Sequence, residues 1–152
     1  MHDIMGIFRT AGSALRMQRL RLDTVAHNIA NANTTRTDEG GPYQRRQIVV
    51  QAADGGLPFR AAGVAGSFVR RFATALGGVQ VTRMVTDEDP GPRVYEPDHP
   101  DADDEGYVQY PNVNIVVEMT NALSATRSYQ ANVTIIDMAK EMALKALEIG
   151  RH

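Results

Sequence analysis

The carboxyl-terminal stretch of residues 114–149 constrains the fold most, because it contains neither proline nor glycine. Apolar side chains recur within it at alternating steps of four and three residues, which predicts a long helix with a heptad seam. Eight of the ten seam positions are apolar or aromatic. At about 1.5 Å per residue this helix is on the order of 50 Å long, too long for a chain of this size to cover. The seam positions are Ile115, Met119, Ala122, Thr126, Tyr129, Val133, Ile136, Lys140, Ala143 and Leu147.

Both ends of this helix carry residues that favour a boundary. Asn112 or Asn114 follows Pro111, and an Asn side chain accepts a hydrogen bond from an unpaired amide of the first turn. Gly150 stands where a left-handed closing residue belongs.

A second heptad pattern runs from residue 3 to about residue 32 and predicts a long amino-terminal helix. Seven of its eight seam positions are apolar, and Gln18 is a single polar residue that can specify register. Gly6 and Gly12 each weaken the helix by up to ~1 kcal/mol relative to Ala. The Asn- and Thr-rich residues 27–37 end it. The seam positions are Ile4, Phe8, Ala11, Leu15, Gln18, Leu22, Val25 and Ile29.

The middle of the chain is predicted to be β-rich and irregular. Residues 38–42 form a turn by composition, the segment 53–78 carries six glycines, and residues 87–105 hold nine of the eighteen acidic residues. Short strands are predicted at residues 47–51, 67–72, 78–85 and 94–95, and residues 107–110 lead into the last helix.

These elements predict an α+β fold, in which long N- and C-terminal helices pack as a coiled coil beside a small irregular β-rich middle region. We predict three segments along the chain: an N-terminal assembly helix (1–33), a β-rich and loop middle (34–111) and a C-terminal assembly helix (112–152).

Composition excludes several classes of function. A net charge of −2 is not that of a dedicated nucleic-acid binder, and the absence of cysteine removes thiolate metal sites and cysteine nucleophiles. No apolar run reaches the roughly 18 residues that span a bilayer. The first residues lack a basic region followed by an apolar run, so we expect no Sec signal peptide.

No catalytic, cofactor-binding or metal-binding residue is predicted. The sequence has neither a Gly-x-Ser-x-Gly elbow nor a phosphate-binding glycine loop. Residues 101–106 resemble the first half of a calcium loop, but position 12 of that loop would be Asn112 instead of Glu. His99 has no metal-ligand spacing to another histidine. We therefore predict a solvated acidic loop and a turn histidine.

Three blocks resemble a known family. The run Asn-Ile-Ala-Asn-Ala-Asn at residues 28–33, within residues 22–47, is similar to the amino-terminal signature of bacterial flagellar rod and hook proteins. Residues 94–113 resemble the shorter, proximal-rod members of that family. Residues 118–132 resemble the carboxyl-terminal signature that these axial proteins share, whereas residues 53–76 match none of the pattern.

The resemblance implies a non-enzymatic structural subunit of the proximal rod of the flagellar basal body. Such proteins are exported unfolded through the flagellar type III export apparatus and assemble in the periplasm as a helical tube that transmits torque. The implied partners are other copies of the chain, proximal and distal rod subunits, the rod-base adaptor and the export apparatus, with no nucleic acid, small-molecule substrate or cofactor.

Two unpartnered seams at the chain ends are themselves an assembly device, because a heterologous contact that does not close generates a filament. The predicted assembly interface comprises Phe8, Leu15, Leu22, Asn28, Ile29, Asn31, Asn33, Met119, Tyr129, Gln130, Asn132, Val133, Ile136 and Leu147. We expect the three asparagines of the first helix to shape its exit through bonds to the backbone. The alternatives are a cytoplasmic coiled-coil adaptor that forms a closed dimer, and a calcium-responsive module that uses residues 101–106.

Overall fold

A computed structural model describes residues 2–52 and 78–149, with the side chains of residues 6–51 and 78–148. Two long helices stand at the ends of the chain, and short strands lie between them, which confirms the predicted α+β class. The elements are α1 (His2–Ala30), β1 (Arg46–Ala52), β2 (Val79–Thr86), β3 (Arg93–Tyr95), β4 (Tyr107–Gln109) and α2 (Ile115–Ile149).

Helix α2 begins where the sequence predicts, because Asn114 caps it. The Asn114 Oδ1 atom accepts hydrogen bonds from the backbone N–H groups of Val116 (3.0 Å) and Val117 (3.2 Å), two of the orphan donors of the first turn. Glu118 adds a negative charge in that turn, which the helix dipole favours. The predicted closing residue Gly150 lies outside the described residues.

Helix α1 ends two residues earlier than predicted, at Ala30. The side chain of Asn31 donates from Nδ2 to the carbonyl of His27 (2.9 Å), and the Asn31 backbone N–H donates to the same oxygen (3.1 Å). The chain then turns, with the N–H of Thr34 bonded to the carbonyl of Asn31 at 3.1 Å. Local bonds of this kind compete with the helical ladder and stop it.

The strands form two separate pairs. Strand β1 pairs with β2, and β3 pairs antiparallel with β4 in the register Arg93 to Gln109, Val94 to Val108 and Tyr95 to Tyr107. The rings of Tyr95 and Tyr107 meet edge to face with centroids 5.2 Å apart. The strand predicted at residues 67–72 lies outside the described residues, whereas the other predicted strands are confirmed.

Helix α1 contacts the start of β2 through Ser13. The Ser13 Oγ atom accepts the backbone N–H of Val79 (3.0 Å) and donates to the carbonyl of Thr10 (2.7 Å). Gly78, with φ of +82°, lies directly against the Ser13 side chain, and a Cβ on it would collide with Ser13 Oγ. A larger residue at position 78 would be excluded on both counts.

Backbone contacts divide the described chain into two compact units. One contains described residues from Met1–Arg19, Val50–Thr82 and Thr126–His152, and the other contains those from Leu20–Val49 and Arg83–Ala125. Each unit therefore holds part of both helices and of the β1–β2 pair. The three-segment division by assembly role stays a prediction. None of the helices in the described part of the chain is sufficiently long and apolar to span a bilayer.

Candidate assembly surface and buried polar cluster

Four residues of α2, spaced by seven, form the face that the chain itself covers. Glu118, Ala125 and Ala139 are buried, and Asn132 is half-buried. We call these four residues the buried line. Since they are small or polar, covering them removes little apolar surface from water.

The predicted seam of α2 runs beside the buried line. Most of its positions lie one or four residues after a buried-line residue, which is about 100° or about 40° round the helix. Met119 is 58% exposed and Leu147 is 60% exposed. Tyr129 and Val133 are also exposed, and Ile136 is half-buried because it lies at the border of the two faces. Most of the large apolar side chains of the predicted seam thus remain in contact with water.

The two polar residues of the predicted interface on α2 differ in their surroundings. Gln130 is exposed. Asn132 belongs to the buried line and donates from Nδ2 to the carbonyl of Ser128 at 2.9 Å, a bond within the helix.

Further apolar residues of α2 are exposed outside the predicted seam. The prediction of a single seam did not include them, although their own spacing of three, four and seven residues indicates additional apolar faces. Val116, at 72%, is the most exposed of this group. The group comprises Val116, Val117, Leu123, Ile135, Met138, Met142 and Leu144.

The seam of α1 is more covered than that of α2. Phe8, Leu15, Leu22 and Ile29 are half-buried, whereas the smaller seam residues Ala11 and Val25 are buried. Gln18 is buried too, and among the described residues its Oε1 atom has no hydrogen-bond partner.

A cluster of polar side chains joins the end of α1, the segment before β1 and the first turn of α2. Arg45 donates from Nε (2.9 Å) and Nη2 (2.6 Å) to Oε1 of Glu118. Asn28 donates from Nδ2 to Oε2 of the same carboxylate (3.1 Å) and to the carbonyl of Arg46 (2.9 Å). The Asn28 Oδ1 atom accepts the hydroxyl of Tyr43 (2.9 Å) and the N–H of Arg46 (3.0 Å). Every polar atom of the Asn28 amide is therefore engaged.

The centre of this cluster is buried. Glu118 and Asn28 are each 1% exposed, and Arg45 reaches a second carboxylate, that of Asp87, at 3.8 Å. Burial raises the pKa of the Tyr43 phenol above its ordinary value, the Arg46 charge lowers that pKa, and the Glu118 charge raises it. A buried carboxylate is tolerated here because a guanidinium and an amide satisfy both of its oxygens.

The three asparagines of the predicted interface have separate surroundings. Asn31 bonds locally at the exit of α1, and its Oδ1 atom accepts the hydroxyl of Thr34 at 3.2 Å. Asn33 is exposed. Asn28 instead belongs to the buried cluster, and the sequence pattern gave no sign that it would face Glu118.

Comparison with known proteins places both ends of the chain in one kind of protein. The family described as Flagella basal body rod protein matches residues 8–36, and the family described as Flagellar basal body rod FlgEFG protein C-terminal matches residues 104–149. The flagellar basal-body rod protein FlgC of Escherichia coli O6:H1 is 41% identical over 150 residues, covering 97% of this chain and 98% of the relative. This chain belongs to the FlgC family of flagellar basal-body rod proteins.

FlgC proteins of other bacteria have the same identity to this chain. FlgC of Bacillus subtilis is 41% identical over 145 residues, which cover 93% of this chain and 94% of the relative. FlgC of Borreliella burgdorferi is 41% identical over 154 residues, which cover 95% of this chain and 98% of the relative. As a member of the FlgC family the chain is a structural subunit of the flagellar basal-body rod, and it is not an enzyme. The closed-dimer adaptor is not favoured by this membership.

Two carboxylates of the acidic loop between β3 and β4 are engaged by other groups of the chain. Asp103 Oδ1 accepts the N–H groups of Tyr107 (2.8 Å) and Glu105 (3.0 Å), and Asp103 also pairs with Arg93. The Tyr107 bond is the main cause that lowers the pKa of Asp103. Asp101 accepts the hydroxyl of Thr35 at 2.7 Å. Two carboxylates of the supposed calcium loop are thus engaged, Asp103 within the loop and with β3, and Asp101 with the segment that follows α1.

The histidine of that loop also bonds within the turn. His99 Nδ1 accepts the backbone N–H of Asp101 at 3.1 Å. Within residues 2–52 and 78–149, no group of three or more His, Asp or Glu side chains is arranged to hold a metal ion.

Proposed function

We propose that this chain is a subunit of the proximal part of the flagellar rod and that it assembles through α1 and α2 into a helical tube that transmits torque. The main observation that supports this proposal is the surface of α2, where large apolar side chains are exposed along most of its 35 residues. Soluble monomers rarely leave contiguous apolar patches of this kind in water, and such patches mark contacts with other proteins.

The distribution of these side chains supports an open assembly. The predicted seam of α2 and the group headed by Val116 lie on different faces of the same helix. A helix with more than one apolar face has room for more than one neighbour. Contacts between different faces of identical subunits are heterologous, and such contacts continue into a filament when they do not close into a ring.

The proposed partners follow from family membership and from this surface. They are other copies of the chain, other proximal and distal rod subunits, and the rod-base adaptor. We infer a periplasmic position within the basal body and delivery by the flagellar type III export apparatus. In this proposal residues 1–33 and 112–152 are the assembly segments, and residues 34–111 are the middle segment that holds them.

The test is deletion of the gene in its host, with motility scored and basal bodies purified and imaged. We expect loss of motility, with the rod missing beyond its base, and recovery of both on expression of the intact chain from a plasmid. Intact rods and normal swimming in the deletion strain would overturn the proposal. The closed-dimer adaptor would then be examined by measuring the mass of the purified chain in solution.

A further inference from the structure

Within residues 115–125, helix α2 turns an unexpected face toward the rest of the chain. It buries a carboxylate, Glu118, and a methyl group, Ala125, at 1% and 0% exposure. It leaves Val116, Met119 and Leu123 more than half exposed. Because apolar burial is favourable and burial of a charge is unfavourable, these side chains taken alone favour the opposite orientation.

The contacts of Glu118 explain why the helix adopts this orientation. Its two oxygens accept three hydrogen bonds, two from Arg45 and one from Asn28. Arg45 precedes β1, and Asn28 is held in turn by Tyr43 and by both backbone groups of Arg46. If α2 turned about its axis by one residue, about 100°, the carboxylate would leave these donors. Asn28 and Arg45 would then be left with unmatched buried groups.

We propose that Glu118, Arg45 and Asn28 form a rotational lock that holds α2 with its predicted seam turned outward. The lock fixes which face of α2 the chain covers, and it does so against the hydrophobic preference of the helix. Charged and polar groups fix register in this way when one arrangement alone satisfies all of them. The use of the outward seam by neighbouring subunits rests on the proposed function, but the lock itself is a property of the single chain.

Paired cysteine probes test the lock, because the chain has no cysteine of its own. Met119→Cys places a thiol on the exposed seam, and Ala125→Cys places one on the buried line. A neutral thiol reagent is added to each purified single-cysteine protein at low concentration, and the ratio of the two labelling rates is measured. In the otherwise unchanged chain we expect Cys at 119 to react at least about tenfold faster, since a buried thiol reacts only when the structure opens.

The same two probes are then measured in a Glu118→Met background. Met keeps the length of the side chain and removes the charge and both acceptors, and Arg45 keeps Asp87 as a partner. We expect the labelling ratio to fall toward one or to invert, because α2 is then free to turn position 119 inward and position 125 outward. Glu141→Met is the matched control, since Glu141 is exposed on the same helix, and we expect it to leave the ratio unchanged.

Circular dichroism shows whether each variant keeps its helices. If Glu118→Met alone loses helix, the double variant Arg45→Met with Glu118→Met removes both charges, leaves neither unpaired, and is used in its place. If a variant of the lock residues keeps its helices but its ratio of labelling rates stays within about twofold of that of the unchanged chain, the lock is overturned. This outcome is independent of the proposed function, because labelling is measured on the isolated chain and rod assembly is measured in cells.

Discussion

Arg45 Nη2 and Glu118 Oε1 lie 2.6 Å apart, although the two residues are 73 positions apart in the sequence. The Glu118 side chain is 1% exposed and the Arg45 side chain is 19% exposed, so water screens this ion pair little. The pair of Arg36 with Asp101 differs from it, because the Arg36 side chain is 76% exposed. The consequence is that the two arginines should respond very differently to the same substitution.

Arg45→Met is expected to destabilise the protein strongly. It leaves the Glu118 carboxylate buried with only Asn28 as a donor, and removal of one partner of a buried pair typically costs about 3–5 kcal/mol. Arg36→Met removes an exposed pair at 3.7 Å, which is worth about 0–1 kcal/mol. Urea unfolding of the two variants beside the unchanged chain measures both values. Equal effects of the two substitutions would contradict the assigned importance of Arg45.

Asn28→Ala should also be strongly destabilising, whereas Asn33→Ala should not. Loss of the Asn28 amide leaves the Tyr43 hydroxyl, both backbone groups of Arg46 and one Glu118 oxygen without their partner, at a cost of about 3 kcal/mol. Asn33 is exposed, and its replacement should change the free energy of unfolding by less than ~0.5 kcal/mol. The midpoints of thermal unfolding give the comparison. Similar midpoints for both variants would argue that the buried cluster contributes little.

The elements of this fold were predictable where local signals determine them. The heptad patterns and the absence of proline and glycine predict α1 and α2 to within two residues, and Asn114 is an N-cap by type and position. Alternation of apolar and polar residues located β2, and the short run at residues 47–51 located β1. In each case the structure depends on residues that are close together in sequence.

The polar cluster was not predictable in this way, because its partners are distant in sequence. No periodic pattern relates Asn28 to Arg45 or to Glu118. From the sequence alone, Glu118 is an ordinary acidic residue of the first turn, where a negative charge interacts favourably with the helix dipole. The covered face of α2 was not predicted for the same reason. Apolar side chains mark the seam, whereas the covered face is selected by a carboxylate and small residues.

Tyr43 should ionise later than an ordinary tyrosine. Burial raises its pKa above 10.0, with Arg46 opposing the shift and Glu118 reinforcing it. The folded state therefore favours the neutral phenol, so its contribution to stability is complete below pH 10 and is lost as the pH rises through the folded pKa. Ultraviolet titration of the phenolate in the unchanged chain and in Tyr43→Phe isolates this group by difference. A difference curve centred at or below pH 10 would contradict the expected direction.

Gly91→Ala and Gly12→Ala should change stability in opposite directions. A Cβ on Gly91 would collide with the Tyr110 carbonyl oxygen and lie 2.6 Å from the Pro111 carbonyl carbon, so we expect a loss of about 1–3 kcal/mol. A Cβ on Gly12 of α1 meets nothing within 4 Å among the described atoms. Ala there should stabilise the helix by roughly 0.5–1 kcal/mol. Chemical denaturation of both variants tests the pair, and stabilisation by Gly91→Ala would show that the segment before β3 is less tightly packed than its geometry indicates.

Val133→Asp should prevent rod assembly while leaving the isolated chain folded. Val133 is 37% exposed in the single chain, so an Asp there keeps access to water and should change the free energy of unfolding by less than about 1 kcal/mol. In the assembled rod the proposed seam is covered, and an unpaired carboxylate buried in an apolar contact is strongly unfavourable.

Thr134→Asp is the matched control for that substitution. It adds the same charge one residue away, about 100° round the helix, at an exposed position beside the polar residues Arg127 and Gln130. We expect Val133→Asp to abolish swimming and Thr134→Asp to preserve it when each replaces the chromosomal copy, with equal amounts of exported protein in both strains. Normal motility of the Val133→Asp strain would exclude the seam as an assembly contact. Loss of motility in both strains, with folded and exported protein, would mean that the whole circumference of α2 is covered in the rod.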